Sequence, residues 1–422
     1  MAGTKVIAVL ATLDTKGDEA EYLREQLAAL GSRALVVDMG VVGEPAAAAD
    51  LTREQVAAAG GTPLSELLRD PTREAAAPVM IAGATRLLRA KVEAGEVHGL
   101  LGLGGFQGTA ACCQVMRAMP YGLPKVMLST AASGDTSSYV DIKDVTMMFS
   151  VGDLLGLNPF TRKILANAAG AAHGMAQVEV TLEARARDKP LIGMSNLGVL
   201  TGGALKALEL FAARGYEVVV FHAIGSGGRA MEQMMKDGII GAVFDYAMGE
   251  IADEVFGVLR AGGPERLTVA GKLGLPQVLC PGGAEHLGIL VEPHVVPEEW
   301  KDHTHVFHSP VVFVPRLNAD ELVRVAREVT ARLRHTKGNA VLMIPRDGTG
   351  RYAMPGGPLR DPESDAAFFA ALKEGLPPGI ELVERDTHAE DPEFVAECVE
   401  RLIGLIEGRY GVRHRIVTPR RG

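Results

Sequence analysis

The chain has 422 residues, 47% apolar and 23% charged, with 50 glycines and a formal net charge of −9. That length accommodates two or three domains with cores of their own, and the composition is that of an ordinary globular protein. The negative balance excludes a general nucleic-acid binder, which needs basic surface to displace counterions. No apolar run approaches the ~18 residues of a membrane span, and no leader pattern opens the chain, so a cytoplasmic protein without membrane contact is expected.

Lys5 to Ala11 is a continuous apolar run of strand length, as in a parallel sheet covered on both faces. It ends in Thr12-Leu-Asp-Thr-Lys-Gly-Asp18 and leads into an amphipathic helix that stops at Gly31. A second strand follows at 34–40, completing a β-α-β interval. Residues 44–77 read as loop plus helix, able to form a flap, with a helix start near Asp50-Leu-Thr-Arg-Glu; a longer helix is expected from Pro78 to Ala94. The strand at Gly99 then gives way to Gly104, Gly105 and Gly108, with Thr109 opening a helix. Strand, glycine turn and helix start leave several N–H groups facing one spot, which favours a phosphate or carboxylate. The strand beginning at Lys125 ends in a second such loop, with Ser129, Thr130, Ser133, Gly134, Asp135 and Thr136. Hydroxyl and amide donors beside a carboxylate suit a phosphate ligand carrying a metal. A strand at 145–150 and a long helix complete the half.

The charged stretch Glu183 to Pro190 marks a domain boundary, giving domains 1–185 and 186–422. Strands are then expected at 191–196, 216–223, 239–247, 277–283, 339–345 and 379–386, with helices between them. Glycine loops follow at Gly225, Gly227, Gly228 and Arg229, and at Arg346, Gly348 and Gly350. The fold class is α/β: two Rossmann-like doubly wound domains with largely parallel sheets and a cleft between them for a second ligand. Met231, Met234 and Met235 lie at helical spacing and read as packing. Arg413, Arg415, Arg420 and Arg421 read as a solvated basic tail.

Motif tests narrow the chemistry. GLGGFQG departs from G-x-G-x-x-G because Gln107 takes the third glycine's place, and no P-loop is present. Cys112, Cys113, Cys280 and Cys398 show no C-x-x-C spacing, so neither a disulfide framework nor a zinc site is indicated. On a strand, His303 and His305 share a face while His308 points away. They converge on a metal only across a turn, and no metal ligand set is assigned. His222, Glu250, His286 and His308 are the candidate acid–base residues, each with a plainer reading as a core, capping or surface group.

VIAVLATLDTKGDE, GLGGFQGT, STAASGDT, HAIGSGGRAME and DPESDAAFFAALKEGL, in that order along nearly the whole chain, resemble the ATP-binding domain family of the tomato mosaic virus resistance protein and its uncharacterised bacterial relatives. The resemblance implies a homodimer that binds ATP with Mg²⁺, mainly through its first half. It carries the nucleotide site onto Asp14, Thr15, Lys16 and Gly17, onto Gly104, Gly105, Gly108 and Thr109, and onto Ser129 to Thr136. It also matches Gly225, Gly227, Gly228 and Arg229, the acid Glu250, and Arg346 to Gly350, here read as binding a small anionic metabolite. The chain departs from the family at GGAEHLGIL, where an Asp-bearing stretch is expected, and at His308-Ser-Pro310, where His-Asn-Pro is expected. Three functions follow: an ATP-dependent transferase or ligase of a small acid, an ATP-responsive protein-binding module without catalysis, and a non-ATP lyase or hydrolase.

Overall fold

The computed structural model describes residues 3–180 and 189–409. The chain divides into two units, Met1–Leu182 and Glu183–Gly422. The Arg413 to Arg421 tail and most of the charged stretch at 183–188 lie outside the described residues.

In the first unit the apolar runs become β1 (Val6–Ala11), β2 (Arg33–Asp38), β3 (Gly99–Gly104), β4 (Lys125–Ser129) and β5 (Thr146–Phe149). They form one sheet in the order β2-β1-β3-β4-β5, every pair parallel. Both faces are covered, so β1 and β3 are buried along their whole length. Ile7, Val9 and Ala11 pack with Leu23 and Leu165 of the helices Leu13–Ala29 and Pro159–Ala176. Ala8 and Leu10 face the other way, with Met80 and Met116 of the helices Arg73–Glu93 and Phe106–Arg117. Arg73–Glu93 begins earlier than Pro78 because the Thr72 hydroxyl accepts the Ala75 N–H at 3.4 Å, and Pro78 sits inside it. Thr52 opens Arg53–Gly60 with a reciprocal capping box.

The second unit repeats the winding. Its strands are β6 (Ile192–Asn196), β7 (Val218–His222), β8 (Ala242–Ala247), β9 (Gln277–Gly282), β10 (Ile289–Leu290), β11 (His305–Ser309), β12 (Val312–Pro315), β13 (Ala340–Pro345) and β14 (Ile380–Arg385). Six form a parallel sheet in the order β14-β13-β9-β8-β6-β7, while β10-β12-β11 is a small antiparallel sheet absent from the sequence reading. Met231 and Met235 are buried, as their spacing indicates. Both units are therefore doubly wound, Rossmann-like α/β folds. In each, the first strand lies between the second and third, so a crevice opens beyond its carboxyl end, at β1/β3 and at β6/β8.

Close approach of backbone to backbone fixes the first crevice. A Cβ on Gly104 would stand 2.8 Å from the Gly108 Cα, because the helix Phe106–Arg117 turns directly back on β3. Gly104→Ala is expected to cost about 1–3 kcal/mol by forcing the two apart. Gly134→Ala adds a methyl with nothing within 4 Å and should change stability by less than about 0.5 kcal/mol. Chemical denaturation of the two variants reads the difference.

Candidate functional site

At the carboxyl edge of the first unit, the loops after β1, β3 and β4 lie at the ends of neighbouring strands. The helix after β1 starts satisfied: Asp38 Oδ1 accepts the Leu13 N–H at 3.1 Å and the Gly40 N–H at 2.8 Å. Burial raises the Asp38 pKa against these bonds. The helix Pro159–Ala176 is capped by Asn158. The helix after β3 is different. Its N-cap is Gly105, which has no side chain, and among the described residues no side chain accepts from the N–H groups of Phe106, Gln107 or Gly108. Such an end carries about half a positive charge.

Around this end, Thr130 approaches Gly105, its Oγ1 3.6 Å from where a Cβ would sit. Thr109 and Ser129 are fully buried and share a 2.6 Å hydroxyl–hydroxyl bond that ties the two loops together; Ser129 Oγ also accepts the Ala131 N–H. Ser133, Gly134 and Asp135 are exposed, Thr136 is half-buried, and Asp135 accepts the Ser137 N–H. In the first loop, Thr15 bonds Thr12 through its hydroxyl, and Lys16 is half-buried, non-helical and without an ion pair among the described residues. Gly17 is buried against Ala46, and Ala46 N–H bonds the Leu13 carbonyl, so the segment read as a flap lies on the first loop. Asp14 Oδ1 is buried and accepts no hydrogen bond.

The second unit's glycine–arginine loop is already filled. Glu250, at the carboxyl end of β8, is fully buried. Its Oε1 accepts the N–H groups of Gly225 at 2.6 Å and Gly228 at 3.0 Å. Its Oε2 accepts from Arg266 Nε at 2.6 Å. Arg266 has no exposure and also bonds both oxygens of Asp245, at 2.5 and 2.6 Å, with Glu232 at 3.4 Å. Burial raises the Glu250 pKa, opposed by Arg266 and the two amides. Glu232 is pushed up to about 7, chiefly by burial, with Arg266 pulling down and Asp245 pushing up. Glu250, read from sequence as a candidate base, thus has both oxygens engaged. Arg229 is exposed one residue on, and His222 is exposed at the end of β7.

A second buried network lies at the ends of β8, β9 and β13. Asp253 holds Arg260 through both oxygens, at 2.7 and 2.9 Å. Arg260 Nη1 lies 3.4 Å from His286 Nε2, and His286 Nδ1 lies 2.9 Å from Glu285 Oε1. Thr349 donates to Glu285 Oε2 at 2.7 Å. Burial opposes the Glu285 charge, but His286, Arg316 and Thr349 outweigh it and hold the pKa at about 2. The Tyr352 ring meets His286 edge-on, and its hydroxyl lies 3.4 Å from His308 Nδ1, which joins these two candidates through one aromatic ring. Arg346 is exposed and pairs with Asp386, while Gly348 and Gly350 are buried in the turn after β13. Of the other histidines, His303 pairs with Glu321 and His305 Nδ1 meets the His303 carbonyl. Sequence reasoning missed Asp245, Asp253, Arg260 and Arg266; a lone Asp in the apolar run Ile239–Ala247 was the available signal for a buried partner.

The profile for the uncharacterised protein family (UPF0261) N-terminal domain matches residues 5–181, and that for its C-terminal domain matches 189–406. A UPF0261 protein of Clostridium tetani is 36% identical over 404 residues, 96% of this chain and 99% of that one. Another, from Rhizobium meliloti, is 35% identical over 397 residues, covering 94% and 98%. The ToMV resistance protein Tm-1(GCR237) of Solanum lycopersicum is 30% identical over 315 residues, 74% of this chain but 42% of that protein. Among the described residues, no helix is long and apolar enough to cross a membrane.

The raised Glu232 pKa has a signed consequence. Between an ordinary 4.5 and about 7, the folded chain keeps a proton that the unfolded chain has released, so stability falls as pH rises through that window. Glu232→Gln should remove this group's share of the fall. Denaturation of wild type and variant across the window tests it: their stability difference must change with pH, and a constant difference refutes the assignment.

Proposed function

The chain belongs to the uncharacterised protein family UPF0261 through both of its halves, and from that premise we propose that its first unit binds Mg-ATP by the triphosphate at the carboxyl ends of β1, β3 and β4. The observation that supports this reading is the uncapped helix start at Phe106, Gln107 and Gly108 beside the β1/β3 crevice. Anionic oxygens complete N–H groups that have no side-chain partner among the described residues. Lys16 supplies a cation on the adjacent loop.

The residues present fit the metal as well. Mg²⁺ takes hard oxygen ligands, usually one or two carboxylates alongside substrate phosphates and water. Asp14 would hold it, since its Oδ1 is buried yet accepts nothing from the protein. When bound, the ion neutralises phosphate charge next to the carboxylates Asp14 and Asp38. The chain's own groups orient the nucleotide: the three amides fix the phosphates, Thr130 lines the approach, and the Thr109–Ser129 bond keeps the two loops in register.

Phe106→Pro tests this with little disturbance. Phe106 is the first helical residue and 71% exposed, and Gly105 before it is extended at φ −79° and ψ −162°. Proline is accepted in that setting and removes one N–H. Loss of one hydrogen bond to a charged group, about 1.5–3 kcal/mol, should weaken Mg-ATP binding about 10- to 100-fold in calorimetry. Lys16→Ala should weaken it by about tenfold. Wild-type protein that shows neither binding heat nor thermal stabilisation with millimolar Mg-ATP refutes the proposal, as does undiminished binding by Phe106→Pro.

A further inference from the structure

We infer that the glycine loop of the second unit, Ile224 to Gly228, together with Arg266, is a carboxylate-binding nest whose resident anion is the chain's own Glu250. The loop leads into the helix Ser226–Lys236, and Gly225 takes φ +88°, with its own N–H and that of Gly228 meeting at one point. At that point sits a carboxylate. One oxygen is shared by the Gly225 and Gly228 N–H groups, and the other is taken by the Arg266 guanidinium. The cradle is fitted to it: a Cβ on Gly228 would fall 2.0 Å from Glu250 Oε2 and 2.5 Å from Arg266 Nε. Glycine at 228 is therefore a requirement of the bound anion.

Charge selects the class of anion. Arg266 is the guanidinium that meets Glu250, and Asp245 already takes its two Nη groups while Glu232 stands at 3.4 Å. A phosphate dianion in place of Glu250 would bring a second negative charge to a guanidinium that Asp245 already engages through both oxygens. A planar monoanion, by contrast, reproduces the existing arrangement of two amides on one oxygen and one guanidinium N–H on the other. The nest thus accepts a small monocarboxylate and rejects phosphate, although its glycine pattern reads in sequence like a phosphate loop.

Chemical rescue tests the inference. Glu250→Ala removes the carboxylate and leaves a space that acetate or formate can enter. Its Tm should fall by several degrees, and acetate or formate should restore half or more of the loss, saturably, at concentrations that leave the wild-type Tm unchanged. Inorganic phosphate at equal ionic strength should not rescue. Glu250→Gln fills the space without charge and should be destabilised but unresponsive to acetate. Rescue by phosphate but not acetate overturns the inference, as does a Glu250→Ala protein insensitive to both carboxylates. Should Glu250→Ala not fold, the wild type decides: its Gly225 and Gly228 amide signals must stay unmoved on titration with phosphate and acetate, and movement of either refutes an internally filled nest. None of these readouts involves ATP.

Discussion

Parallel pairing is the constraint from which the rest follows. When every strand of a sheet runs the same way, every strand-to-helix turn falls on one edge, and helix N-termini gather there with unsatisfied N–H groups. The two units inherit this edge from the same winding order. Each must then dispose of a concentrated positive potential, whatever the net charge of the chain. An overall −9 is no obstacle to an anion site built from main-chain dipoles, because the field decays within the first turn of each helix.

The units dispose of that potential differently. The second brings its own carboxylates to it: Glu250 at the Gly225 and Gly228 amides, Glu390 at the Gly202 N–H, and Asp361 and Asp391 at the helices they precede. A buried carboxylate is costly unless paired, so Arg266 and Arg260 are buried with them. Removing one partner from such a cluster leaves an uncompensated charge, which is why the network behaves as a unit. The first unit uses Asp38 for the helix after β1 and leaves the helix after β3 without a side-chain cap.

Much of this architecture was legible in the sequence, because buried parallel strands are short apolar runs ended by glycine or polar turns. All strands of the two large sheets fall within a residue or a few of their expected positions, and Gly104 and Gly225 mark turns that only close backbone approach explains. The small β10-β12-β11 sheet escaped notice because β10 has two residues and β11 is rich in histidine, leaving no alternation to read. What could not be read was occupancy. GSGGR and GGFQGT look alike as strings, yet one is filled by Glu250, 22 and 25 residues from the amides it meets, with Arg266 behind it, and the other has no side-chain cap. Pairing of that kind is set by topology rather than by local pattern.

That difference bears on what an acidic residue near a glycine turn means. Asp14 and Glu250 both follow a strand and both lie in the first turn of a helix, so either passes for a general base or a metal ligand. Their surroundings separate them. Glu250 has donors on both oxygens, a guanidinium in contact and no exposure, which leaves it no access for chemistry. Asp14 keeps a buried oxygen that no group among the described residues satisfies, and its neighbour Asp38 is itself a buried acid whose pKa burial drives upward, Asp14 adding to the effect. Two acids placed together are unfavourable without a positive partner, and Arg53 serves Asp38 mainly at a distance while bonding the Val41 and Gly43 carbonyls. On the proposed Mg-ATP reading, a hard divalent cation would complete the Asp14 carboxylate.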